Sequence, residues 1–213
     1  MTQFENLSFD SLVYSRRSIR KYKSEKVPGY YIEKMIGSAL NSPSPSNSQP
    51  VRFYRILSEE KKNEISKRMK DGFDDLMSRA DDSGNKRVKN VIKYYFRFSH
   101  FMLDAPLLFA AGIVSNPKSF FSRLKKAGLC SWEGKESEDM NITTGLALSS
   151  FILKGHELGV GTCVLTTPFY FMPNVEEILG LVNIKINCFI SAGFPDEKPS
   201  PPARKTIDEV YGE

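Results

Sequence analysis

Apolar residues fall at helical spacing in some stretches of this chain and as short dense runs in others. Over Tyr31 to Leu40, residues Ile32, Met35, Ile36, Ala39 and Leu40 follow the i, i+3, i+4, i+7, i+8 pattern. This predicts an amphipathic helix with Pro28 near its start. Asn41-Ser42-Pro43-Ser44-Pro45-Ser46-Asn47 cannot continue it, because proline lacks the amide the next turn needs. Arg52 to Leu57 suits a strand, and Ser58 ahead of Glu59 and Glu60 predicts the cap of a helix running through Met69. Asp71 to Asn85, with Gly72, Gly84 and repeated aspartates, reads as the most loop-like part of the interior. A second amphipathic helix is expected from about Lys86 to Met102. Val88, Val91, Ile92, Tyr95 and Phe98 form its apolar face, and Lys86, Lys89, Lys93 and Arg97 the opposite one.

Leu107 to Val114 is an unbroken apolar run of strand length, as expected of a strand covered on both faces. Ser115 to Glu138 shows no clear period. A long helix is predicted from about Met140 to Leu158, stopped by Gly159. Gly161 to Thr166 reads as a strand, Val175 to Leu181 as a short helix and Ile186 to Ala192 as a strand. From Pro195 the chain is polar and proline-rich, so it should run extended over a surface. The alternation gives an α+β class, with a central sheet and helices against both of its faces. No internal repeat is seen.

Composition narrows the setting. At 213 residues the chain is long enough for one domain with a real core, and 40% hydrophobic with 26% charged residues is ordinary for a globular protein. The net charge of +5 favours anionic ligands, but 25 acidic residues are interspersed with the basic ones, unlike a dedicated nucleic-acid binder. Cys130, Cys163 and Cys188 lie far apart with no CxxC pair, which argues against a zinc site or disulfide framework and suits a reducing cytoplasm. No apolar leader is visible at the N-terminus, and no run is long enough to span a bilayer.

The candidate chemistry lies in four short segments. Ser15-Arg16-Arg17-Ser18-Ile19-Arg20 sets three guanidinium groups around one hydroxyl, the donor set that matches phosphate oxygens. Taken alone it also reads as a solvated basic loop. Pro43-Ser44-Pro45-Ser46-Asn47-Ser48-Gln49-Pro50 is a turn whose Asn47 and Gln49 could meet the edge of a heteroaromatic ring. Gly159 to Pro168 reads as a helix stop and buried strand, whose exit at Leu165-Thr166-Thr167 could offer backbone amides. Gly193 to Lys205 reads as a solvated tail carrying Arg204.

Together, in this order and spacing, the four segments resemble the FMN-dependent nitroreductase family over nearly the whole chain. The resemblance implies a nitroreductase-like fold, an intertwined homodimer, and one FMN in each of two interface sites. The tail from about residue 195 to 213 would embrace the partner subunit. Residue by residue, Arg16, Ser18 and Arg204 correspond to the phosphate site and Arg17 to the position along the ribityl chain and ring. Arg20 corresponds to the basic residue near the N1–C2=O edge. Pro43, Ser44 and Asn47 fall in the loop that reaches the isoalloxazine from the neighbouring protomer. Leu165, Thr166 and Thr167 match the segment whose backbone approaches C4=O and N5.

The implied activity is transfer of hydride from NADH or NADPH through the flavin to a nitroaromatic, quinone or similar electrophile, in a ping-pong scheme needing no side-chain acid or base. The other readings are an FMN-binding redox sensor or flavin carrier, and a basic interaction module built on Lys86, Lys89, Lys93 and Arg97. Neither a nucleic acid nor a membrane is expected as partner. Val51, Val164 and Pro202 depart from the family pattern. His100 and His156 are read as structural. The aromatic residues 94 to 101 are read as core or dimer packing, and one of them, or Trp132, as shaping a substrate pocket.

Overall fold

A computed structural model describes residues 8–82, 84–116, 118–130 and 135–212, the side chains of 135–137 excepted. Helix α1 (Phe9–Ser15) is capped by Ser8, whose hydroxyl accepts from the Ser11 amide. Then come α2 (Gly29–Leu40), β1 (Val51–Arg55), α3 (Glu59–Asp82) and α4 (Lys86–His100). The strand β2 (Leu107–Val114) follows, then α5 (Phe120–Lys126), α6 (Lys135–Glu157) and β3 (Gly161–Leu165). The short helices α7 (Pro168–Phe171) and α8 (Val175–Leu179) precede the last strand, β4 (Ile184–Gly193).

The named strands form one antiparallel sheet in the order β1-β2-β4-β3. Two apolar layers cover it. One face packs Leu107, Phe109, Ala111, Cys188 and Ile190 under α2 and α6, with Met35 and Phe151 fully buried. The other face packs Leu108, Ala110, Leu165 and Phe189 under α3, α7 and α8. A bulge between Ala111 and Gly112 leaves Asn187 outside the register, so Ile186 and Cys188 point to opposite layers. This is the α+β class expected, with helices on both faces.

β2 falls on the predicted residues, and Gly159, at φ 76°, ends α6. There the amides of Gly159 and Val160 bond back to His156 and Gly155, as in a Schellman motif. Two expectations are corrected. Asp71 to Asp82 is not a loop: α3 continues through it, because Phe73 and Leu76 pack against the second layer and Ala80 is buried. The inward face of α4 is only partly the predicted one. Ile92 joins the core as expected, but with Phe96 and the buried Ser99 beside it, whereas Val88, Val91 and Tyr95 are exposed.

Gly72 is what lets α7 lie on α3, since a Cβ there would stand 1.8 Å from the Phe171 carbonyl oxygen. Gly72→Ala is expected to lower unfolding stability by about 1–3 kcal/mol, the usual cost of overpacking. Gly37→Ala on α2 meets no atom within 4 Å and should be neutral or stabilising by up to about 1 kcal/mol. Urea denaturation of the two variants checks the opposite signs.

Candidate functional site

The site begins where α1 ends. Arg16 caps α1 through its amide to the Leu12 carbonyl. The chain after it is extended, and at Ser18 it pairs in parallel with Thr162 on the open edge of β3, with the Ile19 amide donating to the Thr162 carbonyl at 3.0 Å. Tyr22 then pairs antiparallel with Pro195, just past β4. The Lys23 amide donates to the Phe194 carbonyl at 2.9 Å, and the Asp196 amide returns to the Lys21 carbonyl at 2.9 Å. Glu197 completes the clasp, its Oε1 accepting the amides of Arg20 at 2.5 Å and Lys21 at 3.1 Å. The buried end is closed by the Tyr22 hydroxyl, 2.8 Å from Ser191 Oγ and 2.5 Å from the Ile19 carbonyl it donates to. Burial, more than any charge, pushes the Tyr22 phenol well above its ordinary value.

This double pairing carries the first arginine motif and the tail to one place. Arg16 is half-buried, and its pKa is pulled below the ordinary value by burial first and then by Arg204 and Arg17. Among the described residues, none of Arg16, Arg17 and Arg204 forms an ion pair. The Arg17 guanidinium turns back to the carbonyls of Tyr14 at 2.6 Å and Arg16 at 2.7 Å. Guanidiniums gathered against burial without a carboxylate are an electrostatic cost, and a bound phosphate would offset it with bidentate hydrogen bonds. The residues expected at a flavin phosphate therefore fit such a group.

Sequence reasoning did not place His156 here. It lies on α6, 141 residues from Ser15, and its Nε2 is 2.8 Å from Ser15 Oγ. The Ser15 hydroxyl can donate its one proton to the Ser11 carbonyl, 2.5 Å away, leaving His156 to donate from Nε2. Burial, then Arg16 and Arg17, lower the pKa of His156. No signal in the sequence links these residues, because only the packing of α1 on α6 joins them. His100 is elsewhere, 3.1 Å from Ser66 Oγ, and Trp132 lies outside the described residues.

The Arg20 guanidinium lies 5.8 Å from the centre of the Phe98 ring on α4. Leu165 is buried in the core, so only its backbone can serve a ligand. Thr166 is exposed and Thr167 caps α7, where their carbonyls accept the amides of Phe169 and Tyr170. These residues, with Arg16, Arg17, Ser18, Arg20 and Arg204, gather at the β3 edge of the sheet.

Pro43, Ser44 and Asn47 do not join them. Their loop leads into β1 at the opposite edge, three strand spacings or about 14 Å away. The loop is strained: Ser46, Asn47 and Gln49 hold φ of 51°, 52° and 45°, a region few non-glycine residues adopt. It is braced from within, because Ser44 Oγ accepts the Gln49 amide at 3.0 Å and the Gln49 side chain donates to Asn47 Oδ1 at 3.1 Å. Beside it lies a cavity of about 420 Å³ walled by Ile113, Phe120, Phe121, Leu124 and Met140. Rigid, strained loops of this kind are typical of ligand contacts. Among the described residues there is no group of three or more histidine, cysteine, aspartate or glutamate side chains able to hold a metal ion, and no helix long and apolar enough to cross a membrane.

Comparison with known proteins supports the fold described above. The family model described as "Nitroreductase family" matches residues 13–194. Iodotyrosine deiodinase 1 of Sus scrofa is 25% identical over 206 residues, covering 95% of this chain and 67% of that protein. Among solved structures, a BluB-like flavoprotein from Clostridium difficile 630 superposes with a TM-score of 0.82 at 22% identity, covering 98% of this chain and 99% of its own. The NADPH:FMN oxidoreductase of Vibrio harveyi, complexed with NAD+, superposes with a TM-score of 0.67 at 19% identity, covering 95% and 75%.

The environment of His156 has a consequence for stability. Its folded pKa is lowered, so on acidification the unfolded chain takes up the proton first and stability falls. The loss should begin as pH drops through about 6.5, the unperturbed value. His156→Gln, which keeps a donor for Ser15, should flatten that part of the profile, as read from urea unfolding between about pH 7.5 and 5.5.

Proposed function

The chain belongs to the nitroreductase family, and from that premise we propose that it is an FMN-dependent oxidoreductase. It passes electrons from NADH or NADPH to a small electrophile such as a nitroaromatic or quinone, the two substrates using the same face in turn. The observation that carries this reading is the gathering of Arg17 and Arg204 around half-buried Arg16, beside the pairing of Ser18 with the open edge of β3, with no ion pair to any of the three among the described residues. A single terminal phosphate needs that donor set, which Ser18 completes.

When bound, FMN supplies reversible two-electron chemistry that no side chain of this protein can provide. The protein's part is position and charge. Arg16, Ser18 and Arg204 would anchor the phosphate, and Arg17 would serve the ribityl chain. Arg20 would supply a fixed positive charge to the ring, and the backbone of Leu165, Thr166 and Thr167 would help hold it.

Pro43, Ser44 and Asn47 reach the ring only from a second copy, since within one chain they stand at the far edge of the sheet. The functional unit is therefore a homodimer of single-domain subunits spanning residues 1–213. In the tail from about 195, Ile207, Val210 and Tyr211 are exposed in the single chain, and embracing the partner would cover them. Cys130, Cys163 and Cys188 are all free thiols, in keeping with a reducing cytoplasm.

Freshly purified protein should be yellow and release close to one FMN per chain on heating. It should also oxidise NADH or NADPH when given a nitroaromatic or quinone. In titrations of FMN into apo-protein, Arg16→Ala and Arg204→Ala should each weaken binding by about 1.5–3 kcal/mol, the range for hydrogen bonds to a charged group. Colourless protein that takes up no FMN, or unchanged affinity in both variants, overturns the reading.

A further inference from the structure

Helix α1 leads into the arginine motif, yet none of its residues is buried and Leu12 alone is partly so. Little apolar packing therefore decides where this helix ends. A polar contact does so instead: on its last turn Ser15 Oγ lies 2.8 Å from His156 Nε2 on α6. Both arginines start from that turn. The Arg16 amide bonds to the Leu12 carbonyl, and the Arg17 guanidinium is held by the carbonyls of Tyr14 and Arg16. A shift of the turn would carry both guanidiniums with it.

The contact survives a change of charge. The Ser15 hydroxyl gives its proton to the Ser11 carbonyl, so His156 donates from Nε2, and it does so as neutral imidazole and as imidazolium alike. A second proton enters at Nδ1. Arg16 and Arg17 repel that proton, and Arg204 stands beyond Arg16. Glu157, next on α6, is paired with Lys154. Helix α2 packs on the side of Gly155, where it presents the apolar Met35. A phosphate dianion among the arginines would offset their repulsion, so the ligand and the proton would favour each other.

We propose that His156 is a positioning residue of the phosphate site: through Ser15 it holds the turn from which Arg16 and Arg17 reach the ligand, and it takes up a proton from solvent when a phosphate dianion binds them. This deepens the flavin reading and rests on it. The residue acts through Ser15 and through its charge, and has no part in electron transfer.

The chain has two histidines, so their ring resonances can be followed by NMR, the His156 line being the one lost in His156→Gln. Its titration midpoint should stand higher in FMN-loaded protein than in apo-protein, while that of His100, beside Ser66, stays in place. A phosphate monoester itself changes charge near about pH 6, a change common to wild-type protein and His156→Gln. The ratio of their FMN affinities should therefore isolate His156. It should rise about threefold in favour of wild-type from about pH 7.5 to 5.5, the scale of an exposed charge pair. At the upper pH, Ser15→Ala and His156→Ala should each weaken FMN binding about fivefold, as for one lost hydrogen bond. The double variant should bind no more weakly than either, since both remove one contact. His156→Gln, which keeps the donor, should restore most of the loss. Yellow protein whose His156 midpoint is unmoved or lowered by FMN overturns this inference while the flavin reading stands. So does unchanged FMN affinity in both alanine variants. Protein that takes up no FMN overturns the flavin reading and this inference together.

Discussion

The pairing of residues 18–23 with both β3 and the chain leaving β4 is the constraint on which the rest of this structure depends. Without it, Arg16 to Arg20 would be a solvated basic loop, as the sequence alone permits. With it, the segment becomes an added rail on the sheet, fixed by the Thr162, Phe194 and Lys21 carbonyls. Two glycines make the approach possible. A Cβ at Gly161 would meet Ile19 at 2.6 Å, and one at Gly193 would meet Tyr22 at 2.9 Å. The same clasp directs the tail, because Glu197 is held by the amides of Arg20 and Lys21. Arg204, seven residues further on, is thereby brought to Arg16 from the other end of the chain.

Electrostatics in this corner runs against what folding alone would select. Burial and neighbouring cations disfavour the charge on Arg16 and on His156 alike. A fold optimised only for stability would place a carboxylate among them, as it does along α3, where Arg68 meets Glu64 at 2.8 Å and Arg79 meets Asp75 at 3.4 Å. Glu197 is close by, yet it is turned to backbone amides and paired with no arginine side chain among the described residues. The clasp thus gathers positive charge, partly buried at Arg16, with no ion-pair partner among the described residues.

How much of this was legible in the sequence depends on whether the signal was local. β2 could be read to the residue because a strand covered on both faces has no polar position to blur its ends. The second half of α3 could not, since aspartates and Gly72 are loop signals by propensity. They are overridden by Phe73 and Leu76 reaching the core and by the close approach of Phe171. On α4 the apolar residues cover more than one face, so periodicity alone could not say which would be buried. Packing under α3 and α7 chose Ile92 and Phe96. The arginine motif was visible, but its companions His156 and Glu197 were not, because contacts across 141 and 177 residues leave no periodic trace.

The two costs in this fold lie at opposite ends of one sheet. At the β3 edge cations are gathered with no ion pair among the described residues; at the β1 edge three of four successive residues, Ser46, Asn47 and Gln49, hold positive φ. The loop's own hydrogen bonds maintain its shape. On the proposed reading a single ligand accounts for both, its phosphate at one copy's cationic edge and its ring against the other copy's strained loop. The antiparallel order β1-β2-β4-β3 then has a functional meaning: by separating the half-sites within one subunit, it makes assembly of two subunits the step that completes each site.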